Sequence, residues 1–124
     1  MQRQRNGAIR RMRKITDLSH HERRTLSDLR QEIARRLPEL GFRMTVFGSR
    51  ARGDAEADSD MDVLLDIETD RLAFPDKQRL RQIASEISLA SGIILSLLVV
   101  DRQTRQERGD FSLFDSIRDE GIAV

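Results

Sequence analysis

Apolar positions recur in two rhythms along this chain, and their alternation sets out the order of its elements. Across residues 20–37, Leu26, Leu29, Ile33 and Leu37 return at three- and four-residue spacing. That predicts an amphipathic helix, stopped by Pro38 and Gly41. Residues 43–47 alternate as a strand does. Residues 49–59 are polar and Gly-bearing, and read as a loop or a single helical turn. Residues 61–67 then form a second strand. Its run Met61, Val63, Leu64, Leu65, Ile67 is apolar on both faces beyond Asp62, the mark of a central strand. A polar turn over 68–75 ends in Pro75. A second helix is predicted over 76–91, with Leu80, Ile83, Ile87 and Ala90 as its stripe, Asp76 in its first turn and Gly92 after its end. Residues 93–100 read as a third strand, apolar on both faces apart from Ser96. Residues 102–109 are a charged loop or short helix. Residues 111–120 read as a last helix with Phe111, Phe114 and Ile117 inward. The order helix, strand, strand, helix, strand, helix predicts an α+β fold: a small mixed β-sheet with helices packed on one face.

Length and composition narrow the possibilities. A chain of 124 residues suits one domain. It has no cysteine, which excludes disulfides, thiol catalysis and Cys-based zinc sites. Its longest apolar run, Ile93 to Val100, is too short for a membrane span, and the N-terminus lacks a hydrophobic signal core. A cytoplasmic protein with no membrane partner is expected. The net charge of +1 conceals a chain in which 35% of residues are charged, and the charge is segregated. Residues 1–14 carry Arg3, Arg5, Arg10, Arg11, Arg13 and Lys14 without an acid. This sets off residues 1–20 as a basic N-terminal arm, either a solvated terminus or a short helix through Ile9, Met12 and Ile15, ahead of a domain over 21–124. Such an arm is also a candidate surface for nucleic acid or an acidic partner.

The acids cluster next to the first two strands. Gly48-Ser49 ends the first apolar run. Ten residues later Asp60-x-Asp62 opens the second. Two carboxylates at i and i+2 on a strand point to the same face. Paired carboxylates suit a hard cation such as Mg²⁺, which is usually held by one or two of them together with substrate phosphates. A Gly-Ser turn offers unhindered N–H groups and a hydroxyl, which suit a phosphate. The segment therefore has the make-up of a site for a metal–nucleoside triphosphate. Asp54, Glu56 and Asp58 read as loop surface. His20 and His21 do not share a helical face and do not form a metal pair.

Gly48-Ser49, ten residues, then Asp60-Met61-Asp62 resembles the signature of the nucleotidyltransferase superfamily that includes DNA polymerase beta and kanamycin nucleotidyltransferase. Among its members the chain is most similar to the minimal nucleotidyltransferases, and Arg50, Arg52, Gly53 and Ser59 match the usual choices of that family. The resemblance implies a polymerase beta palm-like fold, with Asp60 and Asp62 as catalytic metal ligands for Mg²⁺. It implies Gly48, Ser49, Arg50 and Arg52 as nucleotide-binding residues, and ATP or another nucleoside triphosphate as substrate. It implies transfer of a nucleoside monophosphate, AMP above all, to a hydroxyl of a partner protein, as in antitoxins that adenylylate a HEPN-domain toxin.

One departure from that pattern bears on activity. The superfamily usually carries a third carboxylate on the next strand. Here the one polar residue inside 93–100 is Ser96, which aligns with the missing acid. A serine hydroxyl is neither a general base near neutral pH nor a good Mg²⁺ ligand. Asp101 lies an odd step further along, on the opposite face. Two readings follow. One is a nucleotidyltransferase. The other is a catalytically weak or inactive nucleotide-binding module that regulates a partner by association.

Overall fold

The computed structural model describes residues 13–108 and 112–124. The elements are α1 (His20–Arg36), β1 (Phe42–Phe47), α2 (Gly48–Arg52), β2 (Met61–Ile67), α3 (Phe74–Ser91), β3 (Leu95–Val100), α4 (Arg102–Glu107), α5 (Ser112–Glu120) and β4 (Ile122–Ala123). The sheet order is β3-β2-β1-β4. β1 is antiparallel to β2 and β4, while β2 and β3 run parallel, joined across the sheet by α3. β2 is central, as its two-sided apolar run predicts. Among the described residues no helix is long and apolar enough to cross a membrane.

Alternation along the strands divides the sheet into two unlike faces. Met44 and Val46 of β1, Met61, Val63, Leu65 and Ile67 of β2, and Leu95 of β3 point to one side and are buried. They meet Leu26, Leu29 and Ile33 of α1 and Leu80, Ile83 and Ala84 of α3 in one core. The apolar stripe of α1 is the predicted one. In α3 the inner face passes through Ala84, and Ala90 is exposed. That helix starts at Phe74 because Pro75 sits in its first turn, where a missing N–H costs nothing. The basic arm is described only from Arg13. A 3-10 turn over Ile15–Asp17 delivers Leu18 into the core. Phe111 and the earlier part of the arm lie outside the described residues.

The other face carries Thr45, Phe47, Asp62, Leu64, Asp66, Ser96, Leu98 and Val100. The two long helices cover the core face, as expected. The C-terminal segments lie over part of this second face, where Arg105 pairs with Asp66 and Phe114 lines a cavity with Leu64 and Val100. β4 was not legible as a strand. It is two residues long and extends the sheet by pairing Ile122 with Val46, which buries Ile122. Asp101, 5% exposed, accepts from the backbone N–H of Leu72 and of Thr104, each at 2.9 Å. It caps α4 and ties it to the turn before α3, a structural use that fits its place on the face away from Ser96.

Burial pushes the Asp101 carboxyl up, but the amides of Leu72 and Thr104 outweigh it and hold the group below its ordinary 3.8. Its contribution to stability is therefore complete above pH 3.8 and is lost as pH falls through the depressed value. Asp101→Ala leaves a buried N–H unpaired and removes a cap. It is expected to lower the unfolding free energy by about 1–3 kcal/mol at pH 7. Urea titrations over a pH series check this: the gap between the two proteins should narrow in acid, and a pH-independent gap would contradict the assigned cause.

Candidate active site

Register places the candidate residues before any side chain is considered. Phe47 on β1 stands opposite Asp62 on β2, and Asp62 opposite Ser96 on β3, so the three form one row across the uncovered end of the second face. The chain leaves β1 through Gly48, at φ +75°, into the short helix α2, which Gly53 closes at φ +86°. Gly48 is required twice over. An L side chain is strained at that φ, and a Cβ there would run into the Asp62 carboxylate. The group that the missing side chain admits is therefore the Asp62 carboxylate itself. Ser49 follows in the first turn of α2, half-buried, on the segment that packs beside Asp62.

Asp60 precedes β2 and is exposed, while Asp62 is half-buried on the strand. Burial raises the Asp62 carboxyl above its ordinary value, and the negative charge of Asp60 raises it further. The Ser96 hydroxyl and the Arg52 guanidinium pull the other way without reversing the shift. Among the described residues neither Asp60 nor Asp62 has an ion-pair partner within 4.0 Å. Ser96 is exposed on this face, not enclosed within the strand. No cluster of three or more His, Cys, Asp or Glu is placed to hold a metal ion among the described residues. The acidic pair stands with a serine beside it. Asp54, Glu56 and Asp58 are exposed loop residues, as their sequence context predicts.

The two candidate arginines part company. Arg52 is 42% exposed, pairs with Asp54 at 3.3 Å and Glu120 at 3.6 Å, and lies close enough to act on Asp62. Arg50 is 9% exposed and points away from solvent. Its Nη1 donates to Glu22 at 2.8 Å. Its Nε and Nη2 donate to the Ser59 carbonyl at 3.0 and 2.7 Å. Arg50 thus directs these hydrogen bonds inside the protein, whereas Arg52, the other arginine expected at the nucleotide, stays partly exposed beside Asp62. Glu22 was missed as part of this region. Its capping-box spacing to Ser19 is visible in the sequence, but nothing in the sequence signals that its second oxygen reaches Arg50.

The profile of a family described as "Nucleotidyltransferase domain" matches residues 26–123. The chain belongs to that family. A curated relative from Methanocaldococcus jannaschii, named "Putative protein adenylyltransferase", is 28% identical over 99 residues, which cover 80% of this chain and 94% of the relative. No solved structure matches the chain significantly. As a nucleotidyltransferase domain the protein has a nucleoside triphosphate as its implied substrate, and the mixed sheet with two covering helices agrees with the fold of the family.

The donor set fits the divalent cation that nucleotidyltransferases generally use. The Asp62 carboxyl, raised by burial and by the charge of Asp60, has the Ser96 hydroxyl as a hydrogen-bond partner, so the groups on offer to a cation are hard oxygens. Because the folded state favours the protonated form of Asp62, this residue works against stability once ionised. Asp62→Asn is expected to raise the melting temperature by roughly 1–3 °C in EDTA at pH 7.5. The gain should vanish as pH is lowered through the raised Asp62 value, where the wild-type group is already neutral. Scanning calorimetry across pH checks both. A loss of stability at pH 7.5 in EDTA would mean that the carboxylate is held by partners other than those named.

Proposed function

We propose that this nucleotidyltransferase domain binds a Mg²⁺–nucleoside triphosphate on the face bearing Asp60 and Asp62, and transfers AMP to a hydroxyl of a partner protein. The observation that carries the reading is the close grouping of Gly48, Asp60 and Asp62, with the Asp62 carboxylate seated against Cβ-less Gly48. The name of the archaeal relative supports a protein acceptor. A HEPN-domain partner encoded beside the chain, as in toxin–antitoxin pairs, is the acceptor suggested by the minimal-nucleotidyltransferase resemblance.

Each residue then has a defined task. Asp60 and Asp62 hold the cation, which when bound neutralises the phosphates and the departing pyrophosphate. Ser49 and the N–H groups around it receive phosphate oxygens. Arg52, exposed and near Asp62, supplies a further positive charge. The acceptor hydroxyl attacks the α-phosphorus, the bond to pyrophosphate breaks, and the hydroxyl proton passes to water or to a base on the partner.

Ser96 supports a second reading. It occupies the register position next to Asp62, where the superfamily resemblance implies a carboxylate, so on this reading the described residues bring no third carboxylate there to take the acceptor proton. On that ground catalysis is slow or depends on the partner, and the nucleotide-loaded domain acts by association.

Calorimetry with ATP, GTP, CTP and UTP separates these readings from neither being right. Mg²⁺-dependent binding of at least one triphosphate is expected, together with a rise in melting temperature by ligand linkage. Asp60→Asn with Asp62→Asn should abolish the Mg²⁺-dependent part and leave the fold intact. Absence of any such binding by the wild type sinks the proposal. Ser96→Asp should raise AMP transfer to a candidate partner by at least about tenfold if a base is what the site lacks. Robust wild-type transfer that Ser96→Asp abolishes would show that Ser96 is not standing in for an acid.

A further inference from the structure

Arg50 is buried and its hydrogen bonds run to Glu22 and to the loop that leads into Asp60. We infer that Arg50, held by Glu22, is a positioning residue: it clamps the 53–60 loop through the Ser59 carbonyl and so sets where Asp60 stands relative to Asp62. This rests on the reading of Asp60 and Asp62 as the cation ligands. It adds two residues, one of them on a distant helix, to the machinery that makes the site.

The contacts form a continuous chain. Ser59 O belongs to the peptide group that joins Ser59 to Asp60, and two Arg50 nitrogens hold it, at 3.0 and 2.7 Å. A third contact, to Ala57 O at 3.3 Å, grips the same loop two residues earlier. The loop has its own turn, with Ser59 N–H donating to Glu56 O at 3.1 Å and Glu56 N–H to Ser59 Oγ at 2.9 Å. That turn is otherwise polar and exposed, and has little apolar burial to fix it to the body of the domain. Arg50 provides the attachment. Its own position is set by Glu22, 13% exposed on its side chain, at 2.8 Å. The other Glu22 oxygen accepts from Ser19 N–H at 2.8 Å, and Ser19 Oγ accepts from Glu22 N–H at 3.0 Å. The first turn of α1 thus holds Glu22, Glu22 holds Arg50, and Arg50 holds the peptide before Asp60.

Geometry explains why arginine is needed. A planar fork can satisfy a carboxylate on one edge and a carbonyl on the other at once, whereas a lysine ammonium is a single compact charge on a flexible stem. Outer partners that orient ligands commonly change metal affinity by about 10–100-fold when lost.

The test uses Arg50→Lys, which keeps the charge opposite Glu22, with Asp101→Asn as a control that weakens a structural cap away from the site. Two measurements are made on the full chain: Mg²⁺-dependent ATP binding by calorimetry, and amide hydrogen exchange by mass spectrometry in EDTA. Arg50→Lys is expected to weaken Mg²⁺–ATP binding by roughly tenfold or more, with exchange accelerated in residues 54–61 beyond the general change. Asp101→Asn should lower stability while leaving affinity and loop exchange within about twofold of wild type. Equal affinity in Arg50→Lys and wild type, or unchanged loop exchange, overturns the positioning role. An equal loss of affinity in both variants also overturns it, because general destabilisation would then be the cause. If the wild type binds no Mg²⁺–ATP, the reading of the site falls, and this role falls with it. If Arg50→Lys does not fold, Glu22→Gln replaces it in both measurements, with the same expected and overturning results.

Discussion

A buried ion pair between Glu22 and Arg50 is the joint on which the candidate site depends. The Arg50 side chain is 9% exposed and that of Glu22 13%, and removing such charges from water is costly. The cost is offset because the donors and acceptors are taken up: Glu22 closes a capping box, and Arg50 satisfies two backbone carbonyls as well as the carboxylate. A hydrophobic pair of the same volume would pack at least as favourably. It would not attach a polar loop to a helix that lies nearly thirty residues earlier in the chain. The pair therefore makes more sense as a device for placement than as a source of stability. Its direction is consistent: burial raises the Glu22 carboxyl, but the Ser19 N–H and Arg50 outweigh that, so the group stays ionised at neutral pH.

The division of the sheet into two faces does the rest. One face of β1, β2 and β3 is sealed by α1 and α3 into a single apolar core, which makes the backbone of the strands rigid. The same strands therefore present Phe47, Asp62 and Ser96 on the other face with little freedom to move apart. Asp62 is half-buried there, next to another acid and in contact with a positive-φ glycine, an arrangement that costs stability in the metal-free protein. Local cost of this kind is expected where a site is built to meet charge from outside. It also explains the use of β2, the central strand. A carboxylate with a neighbouring strand on each side is held more firmly than one on an edge.

Much of this was legible in the linear chain, for identifiable reasons. Helices with stripes at Leu26, Leu29, Ile33 and Leu80, Ile83, and strands at 43–47 and 61–67, follow from periodicity, because the burial of a face repeats at the period of the element. Asp60 and Asp62 read in the sequence as two alternate residues of one strand, but only Asp62 lies on β2, and Asp60 stands just before it. Asp101, set aside by parity as a replacement acid, is used as a buried cap that accepts from Leu72 and Thr104. The spacing of Gly48-Ser49 to Asp60-x-Asp62 led to the nucleotidyltransferase family, to which the chain belongs.

What periodicity cannot carry is partner choice between distant segments. Whether Arg50 faced a phosphate or the interior depended on a glutamate on another helix and on how the 53–60 loop turned back. Neither is encoded locally, because one arginine side chain reaches acceptors in several directions. Strand β4 is similarly invisible, since two residues have no period and become a strand only by pairing with Val46 and Thr45. Ser96 lay between the two cases. Its place as the polar residue of the third strand was plain from the sequence, but its position beside Asp62 comes from the parallel register of β2 and β3. The sequence by itself determined the two long helices, the three longer strands and most of their core stripes, all of which rest on periodicity within a few residues. The tertiary structure alone decided which charges meet and which remain open to a ligand, because that is set by long-range packing of helices against the sheet.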